Sequence, residues 1–126
     1  MKLRLLDDSI RLRLSRSEVV AADEKGLVEG RTRFPYGSAF TYALEALPSG
    51  SVETAAYEGD RITIGLPTEK IMQWAKDDAV VSLRGKVNLP DGKILKLLVE
   101  KDFVCLSHRD DEDQSNLFPN PESTAC

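Results

Sequence analysis

Shifted by 52 residues and laid on itself without a gap, the chain places Asp8 on Asp60, Ile10 on Ile62, Leu14 on Leu66 and Val28 on Val80. The same shift pairs Leu12 with Ile64, Val19 with Ile71 and Val20 with Met72. A repeat at this spacing reads as two copies of one supersecondary unit, neither of which can bury its apolar face alone. The competing reading is two unrelated hairpin-plus-helix units that share a common pattern.

The contents of the unit follow from periodicity. Ile10-Arg11-Leu12-Arg13-Leu14 alternates aliphatic and basic residues with period two, the pattern of a half-buried strand. Leu3 and Leu5 alternate with Lys2 and Arg4 in the same way, and Asp7-Asp8-Ser9 supplies turn residues between the runs. Ser15 followed by Glu18 is a capping box, so a short helix should follow and end at Gly26. A strand is expected over 27–34, a turn at Pro35-Tyr36-Gly37-Ser38, and a strand with Phe40, Tyr42 and Leu44 inward. The order then recurs: a strand from Val52, the turn Glu58-Gly59-Asp60, a strand over 61–66, a helix opened by Pro67 or Thr68, and a strand from Ala79. The final strand, 93–101, is apolar on both faces and belongs in the middle of a sheet.

These elements describe an α+β, mainly β protein with two short helices: a small pseudo-twofold barrel or sandwich made from two strand-helix-strand repeats. Closing the strands around a shared core would remove exposed edges, which favours the barrel. A chain of 126 residues is expected to form one domain over 1–126, with halves of about 1–48 and 52–101 and an extension over 102–126. Leu117 and Phe118 before Pro119-Asn120-Pro121 read as an apolar anchor for that extension, helped by Phe103. Trp74 lies at helical spacing with Ile71 and Ala75, as a core residue does. No apolar run approaches the roughly 20 residues of a membrane helix, and the start lacks the sustained apolar stretch of a secretion signal. A cytoplasmic location, no membrane association and free thiols at Cys105 and Cys126 are the expectations.

The net charge of −4 argues against a surface given over to nucleic acid. The charge is uneven, however: residues 1–33 hold eight Lys or Arg against six acids, and residues 101–126 hold two against six. Arg11, Arg13, Arg31 and Arg33, with Lys2 and Arg4, fall on the outward positions of strands expected to be neighbours. Guanidinium groups gathered there suit a phosphate or carboxylate, since each presents a planar fork of donors to paired oxygens. The bland alternative is a solvated face balanced by Glu29, Glu45 and Glu53. Thr63 and Gly65 stand where the repeat would put Arg11 and Arg13, so a functioning cluster would belong to the first half alone.

Cys105 and His108, followed by Asp111 and Asp113 in an acidic run, offer thiolate, imidazole and carboxylate, from which a zinc site can be drawn. A buried free thiol and a solvent-facing histidine explain the same residues. No Gly-rich phosphate loop, serine elbow or paired zinc-finger spacing occurs.

Two resemblances bear on this reading. The segment Asp60-Arg61-Ile62-Thr63-Ile64-Gly65-Leu66-Pro67-Thr68-Glu69-Lys70-Ile71 resembles the strand-to-helix step of swapped-hairpin transition-state regulators, and two such halves in one chain would resemble a double-psi barrel. Over nearly its whole length the chain also resembles an uncharacterised family of small bacterial proteins. The likeness is carried by Ser9 to Ser15 with Glu18, Thr32-Arg33-Phe34, Phe40-Thr41-Tyr42, Leu98 to Phe103, Cys105-Leu106, Glu112 to Ser115 and Phe118 to Pro121. Asn116 stands where that likeness leads one to expect an aspartate. Neither resemblance implies an activity or a cofactor. The first functional reading is therefore a non-enzymatic binding or regulatory domain for an anion, a peptide or a protein partner. The alternatives are a metal-binding protein or metal-dependent enzyme using Cys105, His108 and the nearby acids, and a DNA-binding regulator of swapped-hairpin type.

Overall fold

The structure, a computed structural model, describes residues 1–103 and 116–119. Eight strands and two helices follow in the order β1 (Lys2–Leu5), β2 (Ser9–Leu14), α1 (Arg16–Lys25), β3 (Leu27–Arg33), β4 (Ala39–Leu47), β5 (Thr54–Glu58), β6 (Arg61–Pro67), α2 (Thr68–Lys76), β7 (Ser82–Asn88) and β8 (Ile94–Lys101). The unit that recurs is thus strand, strand, helix, strand, strand. One sheet runs β1-β2-β8-β7 and the other β3-β4-β6-β5, so each takes one hairpin from either half of the chain. The halves meet through the parallel pairs β2 with β8 and β4 with β6.

The expected barrel does not close. The mainly β, α+β architecture stands, but as a sandwich of two separate sheets whose edges β1, β7, β3 and β5 stay unjoined. The helices explain the gap: Val19 and Ala22 of α1 and Ile71 and Trp74 of α2 enter the same core as Leu12, Leu14, Leu44, Ile64, Leu66 and Val99. Side chains of both helices thus share the core with both sheets. Lys2, Arg4, Arg31, Arg33, Arg84 and Lys86 lie on three of the four edges, where charge discourages pairing with another chain.

Strand register also corrects the ungapped repeat. Leu12 lies beside Val99, which lies beside Leu83; in the other sheet Ile64 lies beside Leu44, which lies beside Val28. Val28 therefore corresponds to Leu83 rather than to Val80. The 52-residue shift holds through the helices, where Val19 and Ile71 are both buried and Val20 and Met72 both exposed. It lengthens by three afterwards, because Gly26 in the left-handed region (φ 72°) turns α1 straight into β3, whereas five residues, 77–81, separate α2 from β7. Of the two residues expected to open α2, Thr68 is the first helical one, and Pro67 is its N-cap and the last residue of β6.

Of the six aliphatics alternating along β2 and β6, all are buried except Ile10, which is half-buried. It lines an apolar cleft of about 420 Å³ with Leu5, Phe40, Tyr57, Ile62 and Leu95. At the N-terminus of α1 the capping box forms, with Ser15 N donating to Glu18 Oε1 at 2.9 Å. Asn116 closes over it: its carbonyl accepts from Arg16 N (2.9 Å) and its amide group donates to the hydroxyls of Ser15 and Ser17. Phe118 pairs with Phe103 edge to face, and Leu117 is buried, so the described part of the extension packs as expected. The uneven charge also leads one to expect Asp110, Asp111, Glu112 or Asp113 against arginines of the first half; these acids lie outside the described residues.

Among the described residues Lys101 is the one cation in the core, 3% exposed, where alternation along β8 turns its side chain inward. Its Nζ sits 6.0 Å from the Trp74 ring and 5.4 Å from the Phe118 ring and donates to Asp77 O (3.1 Å) at the C-terminus of α2. Burial pushes its pKa down from 10.5, against the raising effect of Asp78 and Asp77. A folded pKa below the unfolded one means that the unfolded chain binds the proton more readily. The stability contributed by Lys101 is therefore fullest above pH 10.5 and lost as pH falls through its folded pKa. Lys101→Met, which keeps the packing and removes the charge, should melt within about 1 kcal/mol of the parent at pH 7 and flatten the alkaline rise in stability. Chemical denaturation at pH 7, 9 and 10.5 checks this; an unchanged alkaline rise in the variant would refute it.

Candidate anion-binding face

In a sheet, residues paired across strands share a face, and neighbours in sequence alternate between faces. In the β1-β2-β8-β7 sheet the inward set is Leu3, Ile10, Leu12, Leu14, Leu97 and Val99 with Leu83 and Val87. The outward set holds Lys2 and Arg4 from β1, Arg11 and Arg13 from β2, Lys96 from β8, and Arg84 and Lys86 from β7. Among the described residues on this face, the only acid within a strand is Glu100. Among the described strand residues, seven basic side chains thus share one face with a single acid.

The register sets three pairs of like charge directly opposite one another: Lys2 with Arg13, Arg4 with Arg11, and Lys86 with Lys96. Each such pair costs up to about 1 kcal/mol relative to a neutral one. Glu100 offsets part of this, with Oε1 accepting from Arg11 Nε (2.6 Å) and Arg13 Nε (2.7 Å). At the corner of the face Asp102 pairs with Lys2 at 2.9 Å. Arg13 reaches Glu100 through Nε. Lys2, Leu3, Arg4, Arg11 and Arg13 together enclose a concavity of about 190 Å³.

The other sheet serves as an internal control. At the places equivalent to Lys2, Arg4, Arg11, Arg13, Arg84, Lys86 and Lys96 it carries Thr54, Ala56, Thr63, Gly65, Glu29, Arg31 and Thr41. The fold is thus built at these positions without clustered charge, and the basic face is a property of one sheet only.

Of the four arginines singled out by sequence, Arg11 and Arg13 come together here, and Arg31 and Arg33 do not. The latter lie on β3, the edge of the opposite sheet, so the single cluster expected from neighbouring strands is divided in two. The expectation that a cluster belongs to the first half alone is corrected as well, because β8 and β7 bring Lys96, Arg84 and Lys86 from the second half. Their signal was present in the alternation of Arg84-Gly85-Lys86, but only the pairing of β2 with β8 shows which face they join. Cys105, His108, Asp111 and Asp113 lie outside the described residues. Among the described residues no group of three or more His, Cys, Asp or Glu could hold a metal ion, and no helix is long and apolar enough to cross a membrane.

Neither the curated proteins nor the solved structures contain a match to the chain. A protein-family model does match, over residues 1–122, and its description is a family of unknown function, DUF7009. The match covers the two sheets, both helices and the closing extension, and the chain belongs to that family.

Proposed function

We propose that the protein is a non-enzymatic binding domain that docks an acidic segment of a partner protein on the outer face of the β1-β2-β8-β7 sheet. The observation that carries this reading is the set of three like-charge cross-strand pairs, kept at a cost in stability on one sheet and absent from its equivalent. Sites that break a rule of folding with only partial compensation are where function is expected. An extended acidic peptide presents carboxylates that guanidinium forks grip in pairs, and Leu98 and Ile94 on the same face offer apolar contact. Nucleic acid fits less well. Among the described residues the face carries no aromatic side chain on which a base could stack, and the remaining surface, rich in acid, repels a long polyanion.

Fluorescence anisotropy with a labelled octaglutamate peptide tests the proposal. Arg4→Gln, Arg84→Gln and Lys86→Gln combined should weaken binding at least tenfold and lower its salt dependence, while leaving the melting temperature equal or higher because like charges are removed. Lys25→Gln, Lys76→Gln and Lys93→Gln combined, all exposed and off the face, should change affinity little. Equal weakening by both sets would reduce the face to general electrostatics. Tighter binding of a DNA duplex than of the peptide at the same salt would replace the reading by the nucleic-acid one.

A further inference from the structure

The connection between β3 and β4 holds a bulky residue in a conformation that suits glycine or asparagine. Tyr36 has φ 68° and ψ 24°, and its side chain is wholly exposed at 105%. A left-handed backbone at a residue with a β-carbon is strained, and strain of this kind persists where something other than stability selects it. No contact within the protein repays it among the described residues, since the ring stands in solvent. The hairpin around it is otherwise regular: Phe34 N donates to Ser38 O at 2.8 Å, and Gly37 follows with φ 87°.

Beside Tyr36 lies a concavity of about 430 Å³ lined by Arg31, Arg33, Phe34, Gly37, Ser38 and Ala39. Arg31 and Arg33 have no ion pair or hydrogen bond to another described side chain, unlike Arg11, Arg13 and Arg61, which each meet a glutamate. Phe34 is about half exposed. Two guanidinium forks without a partner among the described residues, the Phe34 ring and Ser38 thus line one volume of small-ligand size, with the exposed Tyr36 next to them in the chain.

We propose that this hairpin tip binds a nucleotide, with Arg31 and Arg33 on its phosphates and Phe34 and Tyr36 against its base. Arginine forks match phosphate oxygens, and bases stack on exposed aromatic rings without regard to sequence. This site lies on the sheet opposite the basic face and does not depend on the docking proposed for that face. The same chemistry is offered by a free nucleotide and by one unit of a single strand, so both are tried.

The probes are ADP, an eight-residue oligoadenylate, pyrophosphate and adenosine, titrated by calorimetry with amide chemical shifts of Gly37 and Ser38 as the site marker. ADP or the oligoadenylate should bind with a dissociation constant below about 1 mM, and pyrophosphate and adenosine each at least tenfold more weakly. Arg31→Gln with Arg33→Gln should cost a further tenfold or more. Tyr36→Asn should weaken binding about tenfold yet raise the melting temperature by about 3–6 °C as the strain is released. A tighter oligoadenylate identifies a strand as the source; equal affinities identify the free nucleotide. The proposal is overturned if neither probe moves the Gly37 and Ser38 signals, if pyrophosphate binds as well as ADP, or if Tyr36→Asn lowers the melting temperature.

Discussion

Residues 1–48 and 52–126, produced as separate polypeptides, should each give no cooperative thermal transition, and mixing them should restore one. The reason is the exchange of hairpins. The first half alone leaves β2 without β8 and β4 without β6, the second half alone leaves β8 and β6 without those partners, and the two parallel pairs are the middle of both sheets. What remains is two antiparallel hairpins and one helix without a shared core, and an isolated hairpin is marginal at best in water. The core cluster draws Leu12, Leu14, Val19, Val28 and Leu44 from one half and Ile62, Ile64, Leu66, Ile71, Trp74, Leu97 and Val99 from the other. Burial of each such side chain is worth about 1.5–3 kcal/mol, so dividing the set removes more than the whole net stability of a domain of this size, about 5–15 kcal/mol. Circular dichroism melts of each fragment and of the equimolar mixture decide the matter. A sigmoidal melt for the 1–48 fragment alone would show that the halves are independent units.

Replacing Trp74 by alanine is the single substitution expected to cost most, about 3–5 kcal/mol. Trp74 is fully buried in the core, and its Nε1 donates to Val81 O at 2.9 Å. The ring also underlies the Lys101 ammonium, so removing it opens a cavity beside a buried charge. Trp74→Phe separates the contributions. It keeps an aromatic face for Lys101 and gives up the indole hydrogen bond, while Val81 O still accepts from Lys101 N at 3.1 Å. A loss of about 1–2 kcal/mol follows for that variant. Urea denaturation followed by circular dichroism measures both; a cost below about 1 kcal/mol for Trp74→Ala would mean that the core repacks and that the residue is held for another purpose.

Most of the local structure could be read from residues. Alternation in Ile10 to Leu14 and in Phe40 to Leu44 names strands and their inward faces, because side-chain direction in a strand depends only on parity. Ser15 with Glu18 names a helix start and Gly26 its end, because capping is a matter of a few neighbouring groups. The central place of the last strand could be read from its two apolar faces. Such features are written within a window of a few residues.

Pairing between distant strands is not. Nothing local distinguishes a β2 that joins β8 from one that joins β4, and the choice rests on how the helices fit between the sheets. For the same reason the barrel stayed open, and the repeat lost its register by three residues only where the α2–β7 link is longer. The candidate site shows this division most clearly. Arg11 and Arg13 could be found by parity alone, but Arg84, Lys86 and Lys96 reach them only through β8, and Arg31 and Arg33 leave them because β3 belongs to the other sheet. The sequence by itself determined which residues face outward on each strand, since that follows from the pleat. Only the tertiary structure decided which outward faces are one surface, since that depends on hydrogen bonds between strands more than 80 residues apart, as Arg13 and Glu100 are, with a separation of 87.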